Sequence, residues 1–202
     1  MSQIALPLAP AKGAPSRIIV GAANAEAVEA LCEPERWPFR TAVLAGPARS
    51  GKSLLARWFV ESGAGDVLDD AHTLPEEAVF HGWNRAQESG RPLLLVVSER
   101  EWRIKLPDLS SRVGAALHMG IGAPDEAMLA QLIAVHGEMR GLVLDEAAAA
   151  YLVPRCERSH VDVERLVAAI DRLSLERKQP PTMAIWRDAL NEVKGAGSSH
   201  AA

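Results

Sequence analysis

Apolar positions follow two regimes along the chain. In the first, short continuous apolar runs alternate with stretches of helical spacing. Thr41-Ala42-Val43-Leu44-Ala45 is followed by a helical pattern through Leu54 to Val60, then Val67-Leu68, then a helix predicted over Glu76 to Glu88. Pro92-Leu93-Leu94-Leu95-Val96-Val97-Ser98 closes the series as an unbroken apolar run, the pattern of a parallel strand covered on both faces. Strands alternating with helices predict a doubly wound α/β layer on a parallel sheet. Arg17-Ile18-Ile19-Val20-Gly21 opens this part, Asn24 is placed to cap a helix over Ala25 to Leu31, and Pro34 and Pro38 punctuate the loop that follows.

From Pro124 the pattern becomes helical throughout. Helices are predicted over Asp125 to Met139, Asp145 to Glu157, Val161 to Arg177 and Thr182 to Lys194, with Asp145 and Thr182 at N-cap positions. The first sixteen residues carry Pro7, Pro10, Gly13 and Pro15, too many breakers for a regular element. The predicted organisation is an extended tail over 1–16, an α/β domain over 17–122, a small all-helical domain over 123–194 and a polar, disordered tail over 195–202. No internal repeat is present.

Candidate chemistry gathers where the first strand of this layer meets its helix. Gly46-Pro47-Ala48-Arg49-Ser50-Gly51-Lys52-Ser53 is a complete G-x-x-x-x-G-K-[ST] phosphate loop, followed at once by Leu54. Its glycines let successive backbone N–H groups and a helix N-terminus converge on an anion. Lys52 is expected to reach the β/γ-phosphates of ATP or ADP, and the Ser53 hydroxyl to ligate Mg²⁺. Asp69 and Asp70 have the form of a Walker B pair, in which one carboxylate orders Mg²⁺ and the other polarises water; the alternative is two solvated loop acids. Ser98 ends the strongest strand, where parallel sheets present ligand-contacting groups, and reads as a γ-phosphate sensor or as a plain strand-end serine. Arg112, in Leu106-Pro107-Asp108-Leu109-Ser110-Ser111-Arg112-Val113, reads as a surface arginine or as an arginine finger acting on a neighbouring subunit's nucleotide. Arg155, Arg158, Arg165 and Arg172 either line a face toward the nucleotide or are solvated.

Composition narrows the partners. The 202 residues are 48% apolar with a formal charge of −4, which argues against a broad basic surface gripping DNA. Cys32 and Cys156 have no metal-type spacing, read as buried small hydrophobes and fit a reducing compartment. The six histidines form no ligand set. No apolar run is long enough to span a membrane and Met1 to Pro10 lacks signal-peptide character, so a cytoplasmic protein without membrane association is expected. Gln3-Ile4-Ala5-Leu6-Pro7-Leu8 places three aliphatic side chains in the tail and reads as a docking peptide, or as a tail that packs on its own domain.

Together these residues resemble the Hda family, DnaA-related AAA+ regulators of replication initiation, in its alphaproteobacterial form and over almost the whole chain. The resemblance implies an AAA+ P-loop core plus a C-terminal helical lid, with Gly46 to Ser53 as Walker A, Asp69 and Asp70 as Walker B, Ser98 as sensor 1 and Arg112 as the finger acting in trans. It also implies that the box at Val20 to Asn24, with Ile19 before it, lies against adenine. Glu157-Arg158-Ser159 before Val161 to Leu173 is similar to the family's lid, and Arg165, about one position displaced, carries over as sensor 2. Gln3, Ile4, Leu6, Pro7 and Leu8 match the hexapeptide that docks on the β sliding clamp.

The partners so implied are the clamp and ATP-bound DnaA, with DNA met only through the clamp and a homodimer left open. The activity implied is inactivation of DnaA by driving hydrolysis of its ATP, with little or no turnover by the chain alone. Two departures accompany the match. The interval from Lys52 to Asp69 is shorter than in typical AAA+ modules, which predicts a sheet cut to four strands, and no DNA-binding helices follow the lid, as expected of the regulator. The rival readings are a self-sufficient P-loop ATPase or small-molecule kinase, with Asp70 as base, and a helicase loader of the same superfamily.

Overall fold

In the computed structural model, which describes residues 5–7, 17–98 and 102–198, the two longest apolar runs become the centre of a parallel sheet. Strand β3 (Thr41–Gly46) pairs with β5 (Leu93–Ser98) from Thr41↔Leu93 to Gly46↔Ser98. β4 (Asp66–Leu68) flanks β5 and β6 (Leu117–Gly120) flanks β3, giving the all-parallel order β4-β5-β3-β6. The sheet thus has the four strands that the short Lys52-to-Asp69 interval predicts. Residues Ala22–Gly122 form one compact unit; the described residues of Met1–Gly21 and Ala123–Ala202 belong to a second.

Burial explains the unbroken apolar runs. Val43, Leu93, Leu95 and Val97 share a core with Val79 and Ala86 of helix α3 (Glu76–Ser89) and with Leu109 and Val113 of α4 (Pro107–Gly114). The alternate residues Ala42, Leu44, Leu94 and Val96 are buried as well, so both faces of the sheet are covered. Helix α2 (Lys52–Glu61) packs on β3, β4 and β5, and α1 (Ala25–Cys32) packs on β6.

The turn from α2 into β4 is where the shortened core is tightest. A Cβ on Gly65 would stand 2.4 Å from the Pro92 carbonyl oxygen and 2.8 Å from Phe59 Cε1, while the next N–H, of Asp66, bonds that same carbonyl at 2.8 Å. Gly65→Ala is therefore expected to destabilise the chain by about 1–3 kcal/mol through backbone displacement. A thermal midpoint equal to that of the unmodified chain would show that this turn accommodates a side chain.

Several local expectations are corrected. The stretch before the helical domain, to which the sequence assigns no element, folds as α4 and β6; α4 buries only Leu109 and Val113 and β6 only Met119, too little apolar pattern to read. Asn24 makes no side-chain cap bond, and its carbonyl instead accepts from the Val28 N–H at 3.0 Å. Cys32 is exposed, whereas Cys156 is half-buried, with burial pushing its thiol pKa up.

The second unit is a helical bundle of α5 (Glu126–Glu138), α6 (Glu146–Leu152), α7 (His160–Arg177) and α8 (Met183–Ser198) around Leu129, Ile133, Leu152, Leu166, Ile170 and Trp186. Asp125, Asp145 and Ser159 cap their helices by accepting the N–H groups of Met128, Ala148 and Asp162. Where an unpaired extended tail is expected, Ala5–Pro7 is a strand, β1, laddered antiparallel to β2 (Arg17–Ile19) with Leu6 opposite Ile18. Pairing with β1 alone also separates β2 from the parallel sheet, although the sequence places residues 17–21 with the α/β part.

Candidate functional site

The phosphate loop runs from the end of β3 into the first turn of α2. Gly51 at the helix N-cap has φ 91°, a left-handed conformation that glycine adopts without strain, and it supplies no side-chain cap to the first turn, where the Leu54 and Leu55 N–H groups both donate to its carbonyl at 3.0 Å. The positive end of the helix macrodipole therefore meets the loop with no side chain across it, as an anion site requires. Lys52 Nζ donates to the Gly46 and Pro47 carbonyls, each at 2.8 Å, so the ammonium lies across the loop that it would serve. Ser50 Oγ is buried without a partner. A Cβ on Gly46 would stand 3.0 Å from Ile121 Cβ and 3.1 Å from Ser50 Oγ, so a side chain there would crowd the floor of the loop. An orphaned buried hydroxyl, an uncapped helix start and a lysine held inside the loop fit a nucleoside di- or triphosphate. Arg49 adopts a left-handed φ of 63° and Ala48 completes the exposed crest, while Ser53 is exposed and Leu54 half-buried on α2.

The carboxyl ends of the parallel strands bring further candidates together. Ser98 is the register partner of Gly46. Its Oγ shares a 3.2 Å hydrogen bond with His72 Nε2, and the other ring nitrogen, Nδ1, is buried without a partner. His72 lies in a 3₁₀ turn, Ala71–Thr73, directly after the acidic pair. Sequence alone gives His72 no role, because it meets Ser98 only across two strands. Asp69 and Asp70 are exposed at the end of β4, and the Asp69 carboxylate accepts the Asp70 N–H at 3.0 Å. Asp70 has φ 49°, an uncommon conformation for a residue with a side chain, held by the Thr73 N–H and hydroxyl, both donating to its carbonyl at 2.8 Å. Among the described residues no group of three His, Cys, Asp or Glu side chains is arranged to hold a metal. Any Mg²⁺ here would therefore rest on Ser53, Asp69 and the phosphates themselves.

Arg112, on α4, is half-buried against α3. Its guanidinium carbon lies 4.3 Å from the Phe80 ring centroid and 4.2 Å from that of Trp83, and its Nη1 donates to Asn84 Oδ1 at 2.7 Å. Each cation–π contact contributes roughly 0.5–2 kcal/mol, depending on desolvation. The start of α4 is tied to the start of α3: the Glu76 carboxylate accepts the Lys105 and Leu106 N–H groups at 2.8 Å each. These two bonds hold its carboxyl below the usual carboxylate range.

In the helical unit the candidate arginines are engaged locally. Arg165 pairs with Asp162 at 3.5 Å, Arg158 with Glu126 at 2.9 Å, and Arg172 with Glu176 and Glu192, while Arg155 lies over the Tyr151 ring. Ile19, at the end of β2, is buried, and Val20 follows it half-buried. Leu6 and Pro7 belong to β1; Gln3, Ile4 and Leu8 lie outside the described residues. Among the described residues no helix is long and apolar enough to cross a membrane.

No model of a known protein family matches the chain. Solved structures do. Domain III of the Thermotoga maritima replication initiation protein DnaA superposes with a TM-score of 0.71 at 15% identity, covering 87% of this chain and 94% of that one. The Thermotoga maritima RuvB Holliday junction branch migration motor gives a TM-score of 0.62 at 16% identity, covering 85% of this chain and 69% of that one. The replication initiator DnaA bound to AMPPCP and single-stranded DNA gives 0.60 at 17% identity, covering 80% of this chain but only 66% of the initiator. The chain has the AAA+ fold of DnaA and RuvB, a parallel-sheet P-loop core with a helical C-terminal part.

Proposed function

We propose that this chain is a nucleotide-loaded regulator of the Hda type, which docks on the β sliding clamp and drives ATP-bound DnaA to hydrolyse its nucleotide. The observation that carries the reading is that the chain holds, besides a complete phosphate cradle, a guanidinium, that of Arg112, held by α3 and bonded to no residue of the loop. The likeness in fold to domain III of the replication initiation protein DnaA supports the DnaA-related part of the reading.

ADP or ATP with Mg²⁺ would supply the phosphate charge that the loop is built to meet. The start of α2 would receive the phosphates, Lys52 would exchange the Gly46 and Pro47 carbonyls for them, and Ser53 and Asp69 would hold Mg²⁺. Ser98, held by His72, would read a γ-phosphate, and Asp70 would polarise its water. Arg112 acts on the partner's ATP. As water bonds to the γ-phosphorus and the bond to the bridging β–γ oxygen breaks, its planar charge compensates the charge developing on the phosphoryl group, and ADP departs.

The tail segment from Gln3 to Leu8 has to leave β2 at Ala5–Pro7 to dock as an extended peptide, so clamp binding competes with the β1–β2 ladder. Tethering raises effective concentration without adding interface, so a weak peptide suffices. The test is turnover. The isolated chain is expected to hydrolyse little ATP, and DnaA-bound ATP is expected to be consumed when DNA-loaded clamp is added, with Gln3→Ala combined with Leu6→Ala abolishing the clamp's effect. Hydrolysis at several per second without clamp or DnaA, or phosphorylation of a metabolite, would replace this reading with a self-sufficient P-loop enzyme.

A further inference from the structure

We propose that Phe80, Trp83 and Asn84 of α3 are positioning residues, which hold the Arg112 guanidinium in one orientation for an apposed phosphate; the proposal rests on the finger reading of Arg112. Glu76, Phe80, Trp83 and Asn84 are spaced i, i+4, i+7 and i+8, so they form one stripe of α3. Every member of that stripe engages the segment carrying Arg112. Glu76 fixes the backbone at Lys105 and Leu106, where α4 begins, while Phe80 and Trp83 contact the guanidinium carbon at 4.3 and 4.2 Å and Asn84 takes one N–H at 2.7 Å.

The chemistry of the contacts matters more than their number. Aromatic rings engage the face of a guanidinium and leave its N–H edge free to bond. Asn84 occupies one of the five N–H groups, and no other acceptor among the described residues is bonded to Arg112. The stripe therefore immobilises a long side chain and leaves most of its donors available in a fixed plane, which removes the ordering that a free arginine would undergo when it meets a phosphate. A purely structural role would require only apolar cover at positions 80 and 83.

The test separates these roles. Stimulated hydrolysis of DnaA-bound ATP is measured for Trp83→Leu, Phe80→Leu, Asn84→Ala, Trp83→Phe and Arg112→Ala, together with the ¹H–¹⁵N resonance of the Arg112 side chain, assigned by its loss in Arg112→Ala. Trp83→Leu and Phe80→Leu keep apolar bulk but remove a ring. Each is expected to lower maximal stimulation about tenfold to a hundredfold at an unchanged half-saturating concentration, and to move the ring-shifted Arg112 resonance toward its solvent position. Trp83→Phe restores both readouts. Asn84→Ala, a half-buried change to a better helix former, keeps the test valid if a leucine variant fails to fold. Full or raised stimulation in the ring and Asn84 variants, with Arg112→Ala inactive, overturns the positioning role and leaves the finger standing. Unchanged stimulation in Arg112→Ala overturns both, even where the resonance still reports the stacking.

Discussion

Replacing Arg112 by alanine is expected to lower the stimulated hydrolysis of DnaA-bound ATP by about 10³- to 10⁵-fold, the range an arginine finger supplies to phosphoryl transfer. The loss should fall on the maximal rate, because charge develops on the transferring phosphoryl group in the transition state and is smaller in the bound ground state. Lysine should rescue little, since a compact ammonium cannot present a planar fork to two oxygens. Fold damage is not expected to imitate the effect. The variant forfeits two ring contacts and one hydrogen bond on a half-buried surface, roughly 1.5–5.5 kcal/mol in all, and the core residues beneath it, Leu109 and Val113, keep their packing. Nucleotide content, clamp binding and the circular dichroism spectrum should match those of the unmodified chain. Unchanged stimulation would return Arg112 to the role of a structural arginine covering two aromatic rings.

What was legible in the sequence is what local chemistry dictates. Gly46 to Ser53 is readable because a phosphate loop needs glycine, lysine and serine at fixed offsets between a strand and a helix, and the structure places Thr41–Gly46 before it and Lys52–Glu61 after it. The run from Leu93 to Val97 is readable as a strand because both its faces are covered. The helix cap at Asp145 is local as well, its carboxylate accepting an N–H three residues on.

The unread parts are those decided by distant partners or by very short elements. Residues Leu117–Gly120 pair with β3, but only one of the four is buried, so no alternation is visible. Ala5–Pro7 sits among breakers and still ladders with Arg17–Ile19, because an edge strand tolerates a proline such as Pro7 at its end. His72 gains significance only through Ser98, 26 residues away, and the Phe80–Trp83–Asn84 face only through Arg112. The spacing on α3 is visible in the sequence; what the stripe engages is not.

The last expectation concerns the loop itself. Lys52→Ala is expected to weaken ADP and ATP binding by about 10²- to 10⁴-fold, since the ammonium would make two charge-assisted hydrogen bonds to the phosphates at about 1.5–3 kcal/mol each. The ligand-free protein should change little. The carbonyls of Gly46 and Pro47 that lose Lys52 lie at a partly open loop, where water can replace it, and alanine suits the first turn of α2. Thermal unfolding at fixed ADP then separates the two effects. A ligand present at about 1,000 times its Kd stabilises the folded state by about 4.1 kcal/mol, whereas a thousandfold loss of affinity leaves about 0.4 kcal/mol at the same concentration. The unmodified chain should therefore show a large ADP-dependent rise in midpoint and Lys52→Ala almost none, from the same ligand-free baseline. An equal rise in both would mean that the phosphates do not sit on Gly46 to Ser53, and the orphaned Ser50 hydroxyl would need another partner.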